Sequence, residues 1–281
     1  MSINYEVEYD NRARVPEHPE IFARWEREAA SFRAAAQNPK LDIPYGSARR
    51  RRIDLFPAAD DEKAPLAMFI HGGWWRSLDP SMFSHMAAGP TARGITVAVA
   101  GYELCPQVSI GDIIEQIRAA CLSLWRRRRQ RILAYGHSAG GHLAACMVAT
   151  DWKTIAPDVP ADLVPAAYAI SGVFDLLPLL HVSQNQDLRL DESDARRLSP
   201  LYWPVPAGRA LDAIVGSLES SEFLRQSKEI AEAWRQDMAL TRYEEISGAN
   251  HFTVIDPLAD PNSAMTARVA ALAQSAAMIS L

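Results

Sequence analysis

Short apolar runs alternate with longer amphipathic segments along most of the chain. Residues 66–70 are apolar throughout, which is typical of a β-strand covered on both faces. Residues 110–129 instead carry apolar side chains at helical spacing, so we expect a helix there. By the same criteria we predict further strands at residues 53–56, 95–100, 132–135, 166–171, 211–215 and 239–246. Further helices are predicted at residues 16–36, 139–150, 221–234 and 261–278.

Alternating strands and helices predict a single α/β domain over residues 1–281, with a mostly parallel central sheet flanked by helices. Two segments stand apart from this alternation. Residues 1–44 form an N-terminal helical extension, and residues 176–206 are rich in Pro and Leu without a clear period. From position alone, we hypothesise that both segments cover the functional site, the second as a lid or cap.

The charge balance argues against one class of partner. The chain has 29 Lys and Arg residues against 34 Asp and Glu residues, a formal net charge of −5. Nucleic-acid binders usually carry a basic surplus, so we expect no nucleic-acid partner. The arginine runs at residues 49–52 and 126–129 are interpreted as solvated faces.

Three features bear on the compartment. Cys105, Cys121 and Cys146 are odd in number and lack metal-type spacing, which favours a reduced intracellular protein without a metal site. The first six residues, MSINYE, show no secretory signal pattern. Residues 132–150 carry no Asp, Glu, Lys or Arg, but their glycines and histidines argue against a membrane span. We therefore expect a cytoplasmic protein with no membrane partner.

A serine between glycines follows the predicted strand at 132–135. Residues 136–140 read GHSAG, which fits G-x-S-x-G, and an alanine-rich predicted helix comes next. A sharp strand-to-helix turn presents a serine hydroxyl for nucleophilic attack, and glycines are needed where any Cβ would clash. Ser138 is therefore the candidate nucleophile.

A second glycine pair follows the apolar run at 66–70, where residues 71–75 read HGGWW. In serine hydrolases a loop of this type supplies backbone N–H groups to the oxyanion of the tetrahedral intermediate. We assign the N–H groups of Gly72, Gly73 and Ala139 to a predicted oxyanion hole. The histidines that flank the two motifs are expected to hydrogen-bond the surrounding loops: His71, His137 and His142.

A nucleophilic serine needs a base, and the base needs an acid that orients it. His251 lies in a turn directly after the last predicted strand and is the candidate base, whereas His181 follows no final strand. Glu219 stands just after the penultimate predicted strand and is the candidate acid. Glu222 and Asp175 remain alternatives for the acid.

With these motifs the chain resembles the α/β-hydrolases of the kynurenine formamidase (arylformamidase) group, which also contains esterases. The HGGxW motif of that group matches residues 71–75, its GHSAG motif matches residues 136–140, and its late His-Phe pair matches residues 251–252. The resemblance extends over roughly residues 45–252. It implies an α/β-hydrolase fold.

The acidic segment of the group, typically of the D-S-P-E-F type, resembles residues 219–223 with two departures. Glu219 replaces the commoner Asp and adds a methylene group, and Ser221 replaces Pro. The site must therefore accommodate a longer acid if Glu219 takes this role.

The resemblance implies a serine hydrolase that cleaves an N-formyl arylamide such as N-formylkynurenine, through an acyl-enzyme and without a metal or cofactor. Such an activity would belong to tryptophan catabolism. The alternatives are a carboxylesterase acting on short-chain or aryl esters and, more remotely, a non-catalytic binding protein of the same fold. The expected partner is a small-molecule substrate, and the sequence allows a homodimer. Trp74, Trp75 and Phe252 are candidates for the substrate pocket.

Overall fold

A single eight-stranded sheet forms the centre of the computed structural model, which describes residues 3–61, 64–237 and 239–279. Met1 and Ser2, the first two of the six residues considered above for a secretory signal, lie outside the described residues. The strands are β1 (Lys40–Pro44), β2 (Arg52–Phe56), β3 (Leu66–Ile70), β4 (Thr96–Ala100), β5 (Ile132–His137), β6 (Ala166–Ile170), β7 (Ala210–Gly216) and β8 (Leu240–Ile246).

The sheet order is β1-β2-β4-β3-β5-β6-β7-β8. The pairs β1·β2 and β2·β4 are antiparallel, and every other neighbouring pair in this order is parallel. Strands β3 to β6 are buried along their whole length, as their continuous apolar runs predict. The predicted fold class, α/β with a mostly parallel sheet, is confirmed.

Helices cover both faces of the sheet. They are α1 (Tyr5–Tyr9), α2 (Asn11–Arg14), α3 (His18–Ala35), α4 (Ala88–Ala92), α5 (Ile110–Arg128), α6 (Ala139–Ala149), α7 (Trp152–Ile155), α8 (Asn185–Leu188), α9 (Glu192–Arg197), α10 (Ser221–Gln236) and α11 (Ala264–Met278). Helices α5, α6 and α10 contribute to one buried apolar cluster, and α3 and α11 to the other. No helix in the described ranges is long and apolar enough to cross a bilayer.

The parallel strands bring the loops that carry the predicted site residues to one edge of the sheet. Ile70 at the end of β3 is in register with Gly136 of β5, and Gly216 at the end of β7 is in register with Ile246 of β8. The loops that follow β3, β5, β6, β7 and β8 therefore meet at the carboxyl ends of the strands, where ligands bind in open α/β sheets.

The N-terminal segment is tied to the loops beside this edge. The Tyr9 side chain is buried, and its hydroxyl donates to Glu222 of α10 at 3.1 Å. The Glu6 carboxylate accepts both the backbone N–H and the hydroxyl of Ser183, each at 2.6 Å. Helix α1 thus contacts both α10 and the 176–206 segment.

Candidate active site

Ser138 occupies a strained turn between β5 and α6. Its backbone has φ 56° and ψ −119°, and its N–H donates to the carbonyl of Ile170 at 2.8 Å. A Cβ on Gly140 would lie 1.9 Å from the carbonyl oxygen of Ile70, and a Cβ on Gly136 would lie 2.4 Å from that of Gly140. Only glycine fits at these two positions, so the sequence pattern around Ser138 follows from the tightness of the turn.

His251 and Glu219 form a buried pair. The Nδ1–H of His251 donates to Oε2 of Glu219 at 2.6 Å, and the carboxylate is inaccessible to solvent. Its other oxygen, Oε1, accepts from the hydroxyl of Ser171 and from the N–H of Gly216, the latter at 2.7 Å. Three donors therefore fix the carboxylate of the longer acid, and the carboxylate fixes the imidazole.

The alternative acids and base are engaged elsewhere. Glu222 accepts hydrogen bonds from Tyr9 and from Arg225, and Asp175 lies 3.7 Å from the Arg225 guanidinium. His181 stacks on Tyr5 with ring centroids 5.9 Å apart. None of the three forms a hydrogen bond, an ion pair or a ring contact with His251 in the part of the chain that the structure describes.

Ser138 and His251 line the same cavity. Within the described residues no hydrogen bond of 3.5 Å or less joins the Ser138 hydroxyl to the imidazole. Such hydrogen bonds are often long in unliganded enzymes and shorten when substrate binds.

His137, next to Ser138 in sequence, holds the backbone of His251. Its Nε2–H donates to the His251 carbonyl oxygen at 2.8 Å, and the two ring centroids are 4.7 Å apart. Burial, reinforced by the neighbouring His251, lowers the pKa of His137 well below its usual 6.5. His137 is therefore neutral at neutral pH and acts as the expected structural hydrogen-bond donor.

The loop after β3 has two of its carbonyl groups held by hydrogen bonds. The hydroxyl of Tyr102 donates to the carbonyl of His71 at 2.9 Å, and Nδ1–H of His71 donates to the carbonyl of Gly72 at 2.7 Å. In a trans peptide the C=O and N–H groups point in opposite directions. Fixing these two carbonyls therefore also fixes the N–H groups of Gly72 and Gly73.

The two glycines that carry these N–H groups lie near Ser138 or its cavity. A Cβ on Gly72 would stand 3.1 Å from the Cβ of Ser138, and Gly73 lines the cavity. Neither N–H donates to another group in the described parts of the chain. The N–H of Ala139, the first residue of α6, is likewise unpaired within its helix. Gly72 and Ala139 thus adjoin Ser138, and Gly73 lines the cavity that Ser138 also lines.

Burial also sets the protonation of His71. It lowers the pKa of this imidazole to about 4, with the largest contribution from loss of solvent. His71 is therefore neutral at neutral pH, and its one ring hydrogen is the Nδ1–H that holds Gly72.

The cavity has a volume of about 410 Å³, within the range of small-molecule sites. Trp74 and Phe252 line it, as do Phe22 and Trp25 of α3. The placement of Trp75 in the pocket is wrong, because its side chain is fully buried and packs edge-on against His142 with centroids 5.0 Å apart. Consecutive left-handed residues, φ 57° at Trp74 and 53° at Trp75, turn the chain so that the two rings have different surroundings.

Sequence analysis missed one wall of the cavity. Residues of α1 and α2 and the residue that joins them line it: Glu6, Tyr9, Asp10, Asn11 and Arg12. These helices have five and four residues, too short for a periodic pattern to show. We had hypothesised that the N-terminal extension covers the site, but we had predicted none of these side chains as part of it.

Related proteins can be aligned with most of the chain. The BD-FAE family model matches residues 53–194. The kynurenine formamidase of Danio rerio is 30% identical over 234 residues, which is 80% of this chain and 79% of that protein. The kynurenine formamidase of Salmo salar is 29% identical over 238 residues, with the same coverage.

Solved structures agree with the fold. A protein of Silicibacter sp. TM1040, provisionally named a thioesterase, has a TM-score of 0.82 and 33% identity, covering 95% of this chain and 99% of its own. The carboxylesterase EstE1 from a metagenomic library has a TM-score of 0.69 at 17% identity, covering 92% of this chain and 97% of its own, and shows the fold alone. The chain is therefore a hydrolase of the α/β-hydrolase fold that belongs to the BD-FAE family and is related to the kynurenine formamidases.

Proposed function

We propose that the protein is a serine hydrolase that cleaves an N-formyl arylamide of the N-formylkynurenine kind. The main support is the buried His251–Glu219 pair, which shares a cavity with Ser138 at the carboxyl edge of the sheet. The identity of about 30% to kynurenine formamidases over 80% of the chain supports the choice of a formamide.

In the proposed mechanism the Ser138 hydroxyl attacks the formyl carbon, and Nε2 of His251 accepts its proton. Glu219 keeps hydrogen on Nδ1, so that Nε2 is free to accept, and stabilises the imidazolium that forms. His251 then protonates the leaving arylamine nitrogen. Water, deprotonated by the same imidazole, hydrolyses the formyl-enzyme and releases formate.

The negative charge of each tetrahedral intermediate would lie on the carbonyl oxygen of the substrate. The N–H groups of Gly72, Gly73 and Ala139 are the proposed donors to that oxygen, and the N-terminus of α6 adds a favourable dipole. Because these donors are fixed before the reaction, they stabilise the transition state without a reorganisation cost.

Replacing Tyr102 by phenylalanine tests how the loop donors are held. The substitution removes the hydroxyl that fixes the His71 carbonyl, and so loosens the Gly72 N–H. Losing one oxyanion donor outright costs about 10²–10³ in rate, so we expect kcat to fall by about tenfold while KM changes little. Steady-state kinetics on the wild type and the variant measure this, and a fall in Tm without a change in kcat would contradict the positioning role.

A carboxylesterase is the second candidate, because it would use the same residues. Isoprenylcysteine α-carbonyl methylesterase of Arabidopsis thaliana is 29% identical over 160 residues, 53% of this chain and 38% of that protein. The geometry of Ser138, His251 and Glu219 serves an ester and a formamide equally.

The deciding experiment compares kcat/KM on N-formylkynurenine with kcat/KM on p-nitrophenyl acetate and butyrate. Ser138→Ala serves as the blank for uncatalysed ester hydrolysis. We expect the formamide to be preferred by at least about tenfold, although esters are intrinsically more reactive. Good ester turnover with negligible formamide cleavage would instead identify a carboxylesterase.

A further inference from the structure

Two neighbouring residues of α2, the buried Asn11 and the exposed Arg12, line the cavity, and no side-chain hydrogen bond or ion pair is formed by either within the described residues. The side chain of Asn11 is 4% exposed, and neither its Nδ2 nor its Oδ1 has a hydrogen-bond partner among the described residues. The guanidinium of Arg12 has no carboxylate within 4.0 Å in the same part of the chain. It lies 5.8 Å from the ring centroid of Phe22, which also lines the cavity.

The other charged side chains near Arg12 on the cavity wall form hydrogen bonds or ion pairs with protein groups. Arg76 pairs with Asp187 at 2.5 Å, and Glu6 accepts two hydrogen bonds from Ser183. Asp10 accepts the N-cap hydrogen bond of α2 at 3.0 Å. Within the described residues, Arg12 is thus the cavity-lining cation that lacks an anion.

The helix that carries these two residues is held firmly. Tyr9, immediately before α2, is fully buried, donates to Glu222 and accepts from Gln226. Glu8 accepts from the hydroxyl of Ser221 at 2.7 Å. Asn11 and Arg12 are therefore presented from an anchored segment, and their placement costs little when a ligand binds.

Folding alone gives no reason for the unpartnered amide of Asn11. A buried amide with no partner is destabilising, and such groups in a native structure usually mark function. Arg offers a planar pair of donors that matches a carboxylate, whereas Asn offers one donor group and one acceptor. Because both residues line the cavity, together they offer groups for a carboxylate and an ammonium group, and Glu6 and Asp10 of the same wall add negative charge for the ammonium.

We propose that Asn11 and Arg12 bind the free α-amino-acid head group of the substrate, with its carboxylate on Arg12. The substrate class is then an acylated aryl compound that carries a zwitterionic amino acid, and neutral aryl substrates lack this interaction. The proposal rests on the proposed function in that Ser138 acts on an acyl bond in this cavity.

The test uses matched substrates with the Arg12→Ala variant. N-Formylkynurenine is compared with 2-acetylformanilide, which has the same aryl ketone and formamide but no amino acid. We expect the ratio of kcat/KM for the charged over the uncharged compound to fall by about 10- to 100-fold, mainly through KM, as for a lost charged hydrogen bond. The control Arg14→Ala changes an exposed arginine of the same helix that lies outside the cavity wall, and should keep the wild-type ratio.

An unchanged ratio in Arg12→Ala would overturn the proposal, and so would an equal loss on both substrates. Asn11→Ala supplies a second readout. Because no hydrogen bond is lost, its Tm should be no lower than that of the wild type, while the ratio falls by about tenfold. A lowered Tm with an unchanged ratio would show that Asn11 is structural.

A second substrate pair separates this proposal from the formamidase assignment. It consists of phenyl acetate and an aryl acetate bearing the same amino-acid side chain. If the wild type cleaves acetates but not formamides, the formamidase assignment fails, yet a fall of the acetate ratio in Arg12→Ala still supports head-group binding. If formamides are preferred and neither ratio responds to Arg12→Ala, the head-group proposal fails while the formamidase assignment stands.

Discussion

Ser138→Ala is expected to lower kcat by about 10⁴ or more, because it removes the hydroxyl that we propose forms the acyl-enzyme. A loss of this size corresponds to about 5.5 kcal/mol of transition-state stabilisation. Alanine keeps the Cβ that the backbone at φ 56° already accommodates, so Tm should not change. Single-turnover and steady-state assays with N-formylkynurenine measure the loss.

A covalent label gives an independent measurement. A fluorophosphonate should add to Ser138 in the wild type, as detected by mass spectrometry of the peptide, and should not label Ser138→Ala. Ser275→Ala, an exposed serine of α11, is the matched control and should retain both labelling and activity. An active Ser138→Ala variant would show that another nucleophile is used.

The buried strands were predictable because their apolar runs are local. Leu66–Ile70 was predicted to the residue, and Ile132–His137 was predicted with an end two residues short. Strand Lys40–Pro44 was missed, because it is a largely exposed edge strand with a bulge and a left-handed residue at Asp42. Leu41 and Ile43 do alternate with Lys40 and Asp42, but the strand has five residues, which is too short for this alternation to separate a strand from a loop.

The candidate site also has parts that local sequence predicts and parts that it does not. Ser138, Gly72 and Gly73 were found from short motifs, since each motif lies in one turn at one strand end. Glu219 was named from its place just after the penultimate strand, but Glu222 stayed an alternative, because position alone does not say which carboxylate faces His251, 32 residues away. Such a contact depends on the register of β7 and β8, which composition and spacing do not fix.

The cavity wall made by α1 and α2 could not be predicted from the sequence for a further reason. Arg12 and Ser138 are far apart in sequence, and they line one cavity because Tyr9, next to α2, docks against α10. Nothing local in residues 5–14 indicates that docking. The residues that would decide substrate choice are thus the ones that required the structure.

Glu219→Gln is expected to lower kcat by about 10³–10⁴, through the tautomer of His251. Oε1 of Glu219 accepts from the Ser171 hydroxyl and the Gly216 N–H, so the amide oxygen of glutamine should take that position. Its NH₂ group would then face Nδ1 of His251, which must become an acceptor. The ring hydrogen would move to Nε2, the nitrogen that has to accept the proton of Ser138.

Asp175→Asn is the matched control, since Asp175 is the other acid that the sequence allows and it faces Arg225. We expect its kcat to stay within about threefold of the wild type, in contrast to Glu219→Gln. Nuclear magnetic resonance of the imidazole N–H should show hydrogen on Nδ1 of His251 in the wild type and on Nε2 in Glu219→Gln. Full activity in Glu219→Gln together with a large loss in Asp175→Asn would transfer the acid role to Asp175, and the 2.6 Å contact between Glu219 and His251 would then be structural only.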